Sequence, residues 1–547
     1  MVAYTDSLIG EFRRAVVVRD LLSSSVFILT SVHGEGVGEH GVGMLGFLVY
    51  DTTVHVSLIV RPPTAADGGR VVDSAVSHVD IFPTVLDAVG LSAPKRVHGQ
   101  SLLPLIVGED FEARRGVYSE SLYPLLHYGW SPLRAIRTDQ YKLIGAPRPE
   151  VYDVRADRHE EHDLSGERPT VLEDLENKLA ELKTEIERED PTSGAGPDLD
   201  PQTLAQLQAL GYAAGQGGVG LEEEGDRPRA DPKDKIGLHR TIMRAQSELR
   251  ADEEAAEQTL LAVLEEDPEI VDAHHMLGQI AAGQHRYEDS LGHFQRALEV
   301  APDHKNSLLG MASSYRAMGR LDEAVVGFRR VLDVSGSDTR ASLVIADIEF
   351  DRGRLDEAAA VLDEAATTTD APSLIHNKLG EIRVEQGRVE EAMSLFEAAI
   401  SENEGYAIPH FNLAVLLEER GEVQPAVAHY EEAIELAPKH HRAQFNLGRL
   451  VGRLGQVERQ QELWETAIES EPDFVQGYYY LAKLLMDTGQ DLERAEVLVR
   501  EGIGKDPDHH EGPLGYYILA DILNRNGRRA EAIEAVSTGR RIQAEMG

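Results

Sequence analysis

Residues 277–302, LGQIAAGQHRYEDSLGHFQRALEVAP, decide the fold of most of this chain. Steps of 34 residues from Leu277 land on Met311, Ile345, Leu379, Leu413, Leu447 and Leu481, apolar every time. The next position is always small: Gly278, Ala312, Ala346, Gly380, Ala414, Gly448 and Ala482. A bulky column runs Phe294, Phe328, Leu362, Phe396, Tyr430, Trp464, and a second small one runs Ala297, Val331, Ala365, Ala399, Ala433, Ala467. Pro302, Pro438 and Pro472 share the column that follows. Small side chains let paired helices approach to the near end of the usual range of about 8–10 Å, and the bulky column fills the gap to the next pair. Proline removes a backbone donor and stops a helix where the chain must turn.

The frame extends back to Lys235 and on to the end of the chain, about nine repeats over 235–547. This pattern resembles the tetratricopeptide repeat. The resemblance implies an all-α superhelix of paired antiparallel helices with a groove lined by the first helix of each pair. Groove-facing positions then include Phe411, Phe445 and Tyr479, with Arg442, Arg449, Arg453 and Lys483 beside them. In so acidic a chain that cluster suits an extended acidic peptide or a protein bearing one. Asn412 and Asn446 occupy equivalent places in HFNLA and QFNLG. They are open to two readings: a short ladder holding a peptide backbone, since an amide both donates and accepts, or polar residues satisfied between helices.

Upstream the character changes. Residues 188–234 are rich in Gly, Pro and charge and read as an acidic linker, with one helical patch, TLAQLQALGY, at Thr203–Tyr212. Residues 1–187 mix apolar runs of strand length with helical stretches, an α/β pattern. Ser24–Thr30 and His55–Val60 read as buried strands, Tyr4–Leu22 and Ile81–Val89 as helices, the latter with Asp80 as N-cap.

The stretches YTDSLIGEFRRAV, FILTSVHGEGVGEHG, VDIFPTVLDAVGL, HGQSLLPLI, YSESLYPLLHYGWSPLRAIRTDQYKLI and APRPEVYDV, from Tyr4 to Val154, resemble the sulfatase family in that order. The resemblance runs through the C-terminal half of the family's domain, to about residue 212. It implies a truncated alkaline-phosphatase-like α/β fragment of a fold that cleaves sulfate or phosphate esters at a metal-bound centre. In that family the nucleophile and two acidic ligands lie in the preceding half. The second metal motif, Ser-Asp-His-Gly-Glu in a related subgroup, here reads Ser31-Val32-His33-Gly34-Glu35. His33 is kept as a vestigial ligand while Val32 stands where a carboxylate ligates. Leu45-Gly46 replaces a His-Gly pair, and His55-Val56-Ser57 replaces Arg-Val-Pro. His33, Glu35, Glu39 and His40 lie close in sequence and offer donors, but one glycine-rich loop fixes no geometry. Zinc or manganese needs several N/O donors and calcium six to eight oxygens, so no cofactor is expected unless the site is completed elsewhere. No catalytic residue is assigned. Asp80 and Asp153 read as turns or caps, and Tyr118, Trp130 and Tyr141 as core.

Composition narrows the classes further. The formal charge is −41 and the sequence pI about 4.9, which opposes nucleic acid and anionic membranes. There is no cysteine, hence no disulfide or thiolate site. No apolar run approaches membrane-spanning length and Met1–Arg14 shows no signal-peptide pattern, so the cytoplasm is the default compartment, although full-length relatives are expected to be exported. Half an α/β domain is expected to leave a sheet edge that a partner covers. The sequence therefore points to a protein–protein interaction scaffold carrying a degenerate, inactive sulfatase-like module. The alternative is a sulfuric or phosphoric ester hydrolase whose N-terminal half is supplied from elsewhere.

Overall fold

From residue 236 onward the chain alternates helix and tight turn, and a backbone column marks the turns. Gly319, Gly353, Gly387, Gly421, Gly455 and Gly489 all have positive φ, between 66° and 79°. These six fall 34 residues apart, where the first helix of each pair must end and the second begin. His285 holds the same column one repeat earlier and adopts φ 60° without being glycine. The computed structural model describes residues 2–19, 21, 24–34, 36, 38–41, 47–62, 69–94, 97–109, 111, 116–189, 229–369, 371–506 and 512–546. They divide into two units, Met1–Ser335 and Gly336–Gly547.

The second unit contains six helix pairs, beginning with Thr339–Asp351 and Leu355–Ala365 and ending with Gly512–Arg525 and Arg529–Met546. The columns do what their sizes require. Phe396, Tyr430 and Trp464 are buried, and so are Ala399, Ala433 and Ala467. A Cβ on Gly380 would stand 2.5 Å from the Phe396 ring, and one on Gly448 2.7 Å from Trp464.

The first unit holds three further pairs, Ile236–Glu248 with Glu253–Glu266, Val271–Gly283 with Tyr287–Val300, and Lys305–Ala317 with Leu321–Ser335. It also holds the α/β region. There β3 (Val117–Ser121), β4 (Leu133–Arg137), β5 (Tyr141–Gly145) and β6 (Glu150–Asp153) form an antiparallel meander in sequence order. One face of the meander buries Ile136, Leu143 and Val151 against Leu175 of the helix Pro169–Glu189. The strands expected at Ser24–Thr30 and His55–Val60 are shorter, β1 (Phe27–Thr30) and β2 (Leu58–Arg61), and pair antiparallel as an isolated ribbon. They are half-buried rather than buried: Ile59 is 57% exposed, because a two-stranded ribbon has little to pack its outer face against. The first helix spans Val2–Val18, ending earlier than expected, and the second Ile81–Ala88. Asp80 is buried, but its carboxylate accepts from the Ser77 and Gln100 amides at 2.9 Å instead of capping that helix.

The expected linker lies mostly at 190–228, outside the described residues, as does the Thr203–Tyr212 patch. On either side of it the chain shares one core. Phe47, Leu48, Tyr128, Trp130 and Leu133 of the α/β region pack with Leu238, Ile242, Leu260 and Ile270 of the first helix pairs. Polar contacts reinforce it: Trp130 Nε1 donates to Asp267 at 3.0 Å, and the Ser131 amide donates to the Ala230 carbonyl at 2.9 Å. Buried Lys233 bonds Asp231 and the Arg148 carbonyl. The first helix pair thus meets the α/β region where a repeat array would otherwise end in an uncovered apolar face. Trp130 is core as expected. Tyr141 is half-buried against the meander's core, and Tyr118 is half-buried with its hydroxyl on Glu120.

Candidate functional site

The residues expected to line a groove lie on the first helices Ala407–Glu419, His441–Arg453 and Val475–Thr488 of the second unit. The middle helix, HRAQFNLGRLVGR, has three arginines and no acid, in a chain of charge −41. Its Arg449 donates to Glu418 at 3.0 Å and Arg453 bonds the same oxygen, while the Tyr430 hydroxyl donates to the other carboxylate oxygen at 3.0 Å. Glu418 is nearly buried and both arginines stay about half exposed. Burial first, then the Glu418 charge, raises the pKa of Tyr430, so its proton stays on the phenol, with Asn446 acting on the same hydroxyl. Arg442 is exposed at the start of the helix. Two arginines, Arg449 and Arg453, therefore share one buried carboxylate, and Arg442 stands exposed on the same helix.

Two expected groove residues are elsewhere. Phe445 is 4% and Tyr479 0% exposed, so both are core and not ligand-facing. Phe445 packs on Phe474, Tyr480 and Trp464 with centroids 5.2, 5.2 and 5.7 Å away, while Tyr479 fills the space left by Gly502 and Gly515. Phe411 is half-buried beside His440 at 4.8 Å. Lys483 is half exposed but paired with Asp487 at 2.6 Å. Asn412 donates to Asn377 Oδ1 at 3.1 Å, and Asn377 in turn donates to Glu381 at 2.9 Å. Asn412 is thereby satisfied between helices, and its partner sits 35 residues back, one step off the repeat frame. Glu418, held by the Tyr430 hydroxyl, anchors Arg449 and Arg453, and no sequence pattern sets this carboxylate apart from the chain's other acids.

The α/β region presents an open cavity of about 2060 Å³ lined by His33, Asp51, His78, Arg137, Lys142 and Arg158 among others. Its innermost charges are committed to one another. Buried Lys142 lies 2.8 Å from Asp51 and 2.7 Å from Glu160, and Arg137 lies 3.2 Å from Asp51. Desolvation raises the Glu160 pKa against the opposing pull of Lys142. His33 Nδ1 contacts the Gly34 carbonyl at 2.9 Å, and Val32 is 76% exposed. His40 turns away, stacked on Tyr50 at 3.7 Å with Nε2 on the His159 carbonyl. Glu35 and Leu45-Gly46 lie outside the described residues. Among the described residues no three His, Asp or Glu side chains gather as a metal site would require. No described helix is long and apolar enough to cross a membrane.

Fold and matches together define a sulfatase-type C-terminal region followed by tetratricopeptide repeats. Residues 38–185 match the family model described as N-sulphoglucosamine sulphohydrolase, C-terminal, and segments between 269 and 460 match tetratricopeptide-repeat models. Arylsulfatase K of Mus musculus is 30% identical over 191 residues, 33% of this chain and 34% of that protein. The uncharacterized sulfatase YidJ of Escherichia coli K12 is 32% identical over 167 residues, 29% of this chain and 32% of that one. The chain spans about a third of the length of the curated relatives it matches. Among solved structures, Pseudomonas aeruginosa pilF aligns at 19% identity over 39% of this chain and 97% of its own, with a TM-score of 0.34.

Proposed function

We propose that this chain is a protein-interaction scaffold whose repeats hold an acidic peptide segment, and that its sulfatase-like region serves as the structural start of the array rather than as an ester hydrolase. The pairing of Arg449 and Arg453 with Glu418, with Arg442 exposed on the same helix, carries the reading. A guanidinium presents five donors, and Glu418 engages only part of the sets of Arg449 and Arg453, which leaves planar forks for a second carboxylate. Phe411 and Asn446 lie along the same helices and supply an apolar contact and an amide. The chain's overall negative field discourages acidic ligands elsewhere, so a local basic patch is selective as well as attractive. No role for nucleic acid follows from such a charge balance.

On the sulfatase-like side, Val32 stands where the resemblance places an acidic ligand, and the cavity's innermost charges, Asp51, Arg137 and Lys142, pair with one another. These residues by themselves supply neither a nucleophile nor a calcium, manganese or zinc site. The exposed Ile59, Val71 and Phe82 suit contact with a second polypeptide. The test is calorimetric titration of the full chain with a glutamate-rich peptide and with a lysine-rich peptide of equal length. Saturable binding of the acidic peptide alone supports the scaffold; no binding, or equal binding of both, overturns it.

A further inference from the structure

We propose that the repeats carry two bis-histidine sites for a borderline divalent transition cation of the zinc class, one at His274–His293 and one at His410–His429. In each, a histidine on the first helix of a pair meets one on the second. The Nδ1 atoms are 3.2 Å apart in the first site and 3.0 Å in the second. The two sites are separated by 136 residues, which is four repeat steps, so the geometry recurs in register. Two nitrogens on one tetrahedral cation, each at ~2.0–2.1 Å, stand about 3.3 Å apart, close to the spacing already present.

The outer contacts prepare the ligand. His274 Nε2 lies 3.0 Å from the Pro268 carbonyl, which only accepts, so the proton sits on Nε2 and the Nδ1 lone pair faces His293. Without metal, His293 Nδ1–H donates to that lone pair; cation binding moves this proton to His293 Nε2, with no net release. Burial holds all four imidazoles below their usual pKa, so they are unprotonated at neutral pH. Glu397 and Glu432 act on His429, a negative field that favours a cation, while at the first pair Arg286 offsets Glu257 and Asp289 beside His293 and Arg296 offsets Glu299 beside His274. Water completes the coordination, since among the described residues no third His, Asp or Glu side chain converges at either pair. Imidazole pairs favour zinc and copper over calcium or magnesium.

The test is calorimetric titration of chelator-stripped full-length protein with Zn²⁺ alone. His429→Leu is compatible with folding, because Leu395 and Leu463 hold the same column in neighbouring repeats, and His293→Thr takes the residue that Thr259 supplies one repeat earlier. The expected result is one equivalent bound at each pair, one lost in each variant and both lost in the double variant. Uptake unchanged in the double variant, or none in the unsubstituted chain, overturns the proposal. Electron paramagnetic resonance of the Cu²⁺-loaded unsubstituted protein gives a reading independent of the variants: nitrogen hyperfine structure from two imidazoles is expected, and its absence also overturns it.

Discussion

The ring of Phe47 stacks on that of His239 with centroids 4.0 Å apart and planes within 2°. The contact joins the sulfatase-like region to the first repeat helix across nearly two hundred residues of sequence. The Tyr128 hydroxyl meets the same imidazole at 2.9 Å, and Trp130 closes the cluster 4.6 Å from Tyr128. The two regions fold as one core here, and that has a direct consequence for stability.

The chain has two tryptophans, and Trp130 and Trp464 report on different units. With Trp464→Phe, fluorescence follows Trp130 alone. Leu260 is fully buried in the first helix pair, so Leu260→Ala leaves a cavity in the shared core costing about 2–5 kcal/mol. Urea unfolding followed at Trp130 then shifts to lower concentration, although the substitution lies in a repeat. An unmoved transition means that the sulfatase-like region folds independently.

His285 occupies a left-handed turn that glycine holds in six other repeats. A non-glycine residue there costs about 1–2 kcal/mol. His285→Gly removes that cost and forfeits only an exposed contact to Tyr287. The expected result is a higher urea midpoint for the first unit; a lower one shows that the imidazole contributes more than its strain.

Buried histidines make the fold acid-sensitive. Desolvation pushes His275 and His239 down to about 4, and lowers His274, His293 and His304 as well. Unfolded histidine takes a proton near pH 6.5, so between 6.5 and 4 the unfolded state binds more protons and stability falls as pH falls. His275 alone contributes up to about 3 kcal/mol of that loss. Leu309 and Leu343 hold its column in the following repeats, so His275→Leu is expected to fold and to flatten the dependence of thermal midpoint on pH. An unchanged slope contradicts the assignment.

The sulfatase-like region is expected to be silent toward simple esters. Purified full-length chain is expected to leave nitrophenyl sulfate and nitrophenyl phosphate at the buffer rate with calcium, manganese or zinc added. Turnover that His33→Ala abolishes contradicts this and revives the hydrolase.

The repeat architecture was legible because each helix pair must solve the same packing problem, and a fixed column of small and bulky residues records the solution. What repetition hides is what differs between neighbours. Phe445 shares its column with Phe411, Leu343 and Leu309, all half-exposed, yet it is buried because Phe474, Tyr480 and Trp464 close over it. Tyr479 is buried for a similar reason, since Gly502 and Gly515 open a space that only its ring fills. Asn412 found its partner one residue off the frame. Glu418 was unremarked among the chain's many acids, and only the structure shows three donors converging on it. In the sulfatase-like region the motifs were legible one by one, but the core shared with the first repeats joins residues on opposite sides of an acidic Gly/Pro-rich stretch. No local pattern signals that.

The most direct test of the scaffold is fluorescence anisotropy of a labelled glutamate-rich peptide titrated with the full chain and with Arg442→Glu and Arg449→Ala variants. Affinity is predicted to weaken as salt rises and to drop at least tenfold for charge reversal at Arg442, about 1.4 kcal/mol or more. Arg449→Ala is predicted to weaken binding less, since Arg453 still holds Glu418. Equal affinity for all three proteins contradicts the account and places the ligand, if one binds, outside the Arg442–Arg453 face.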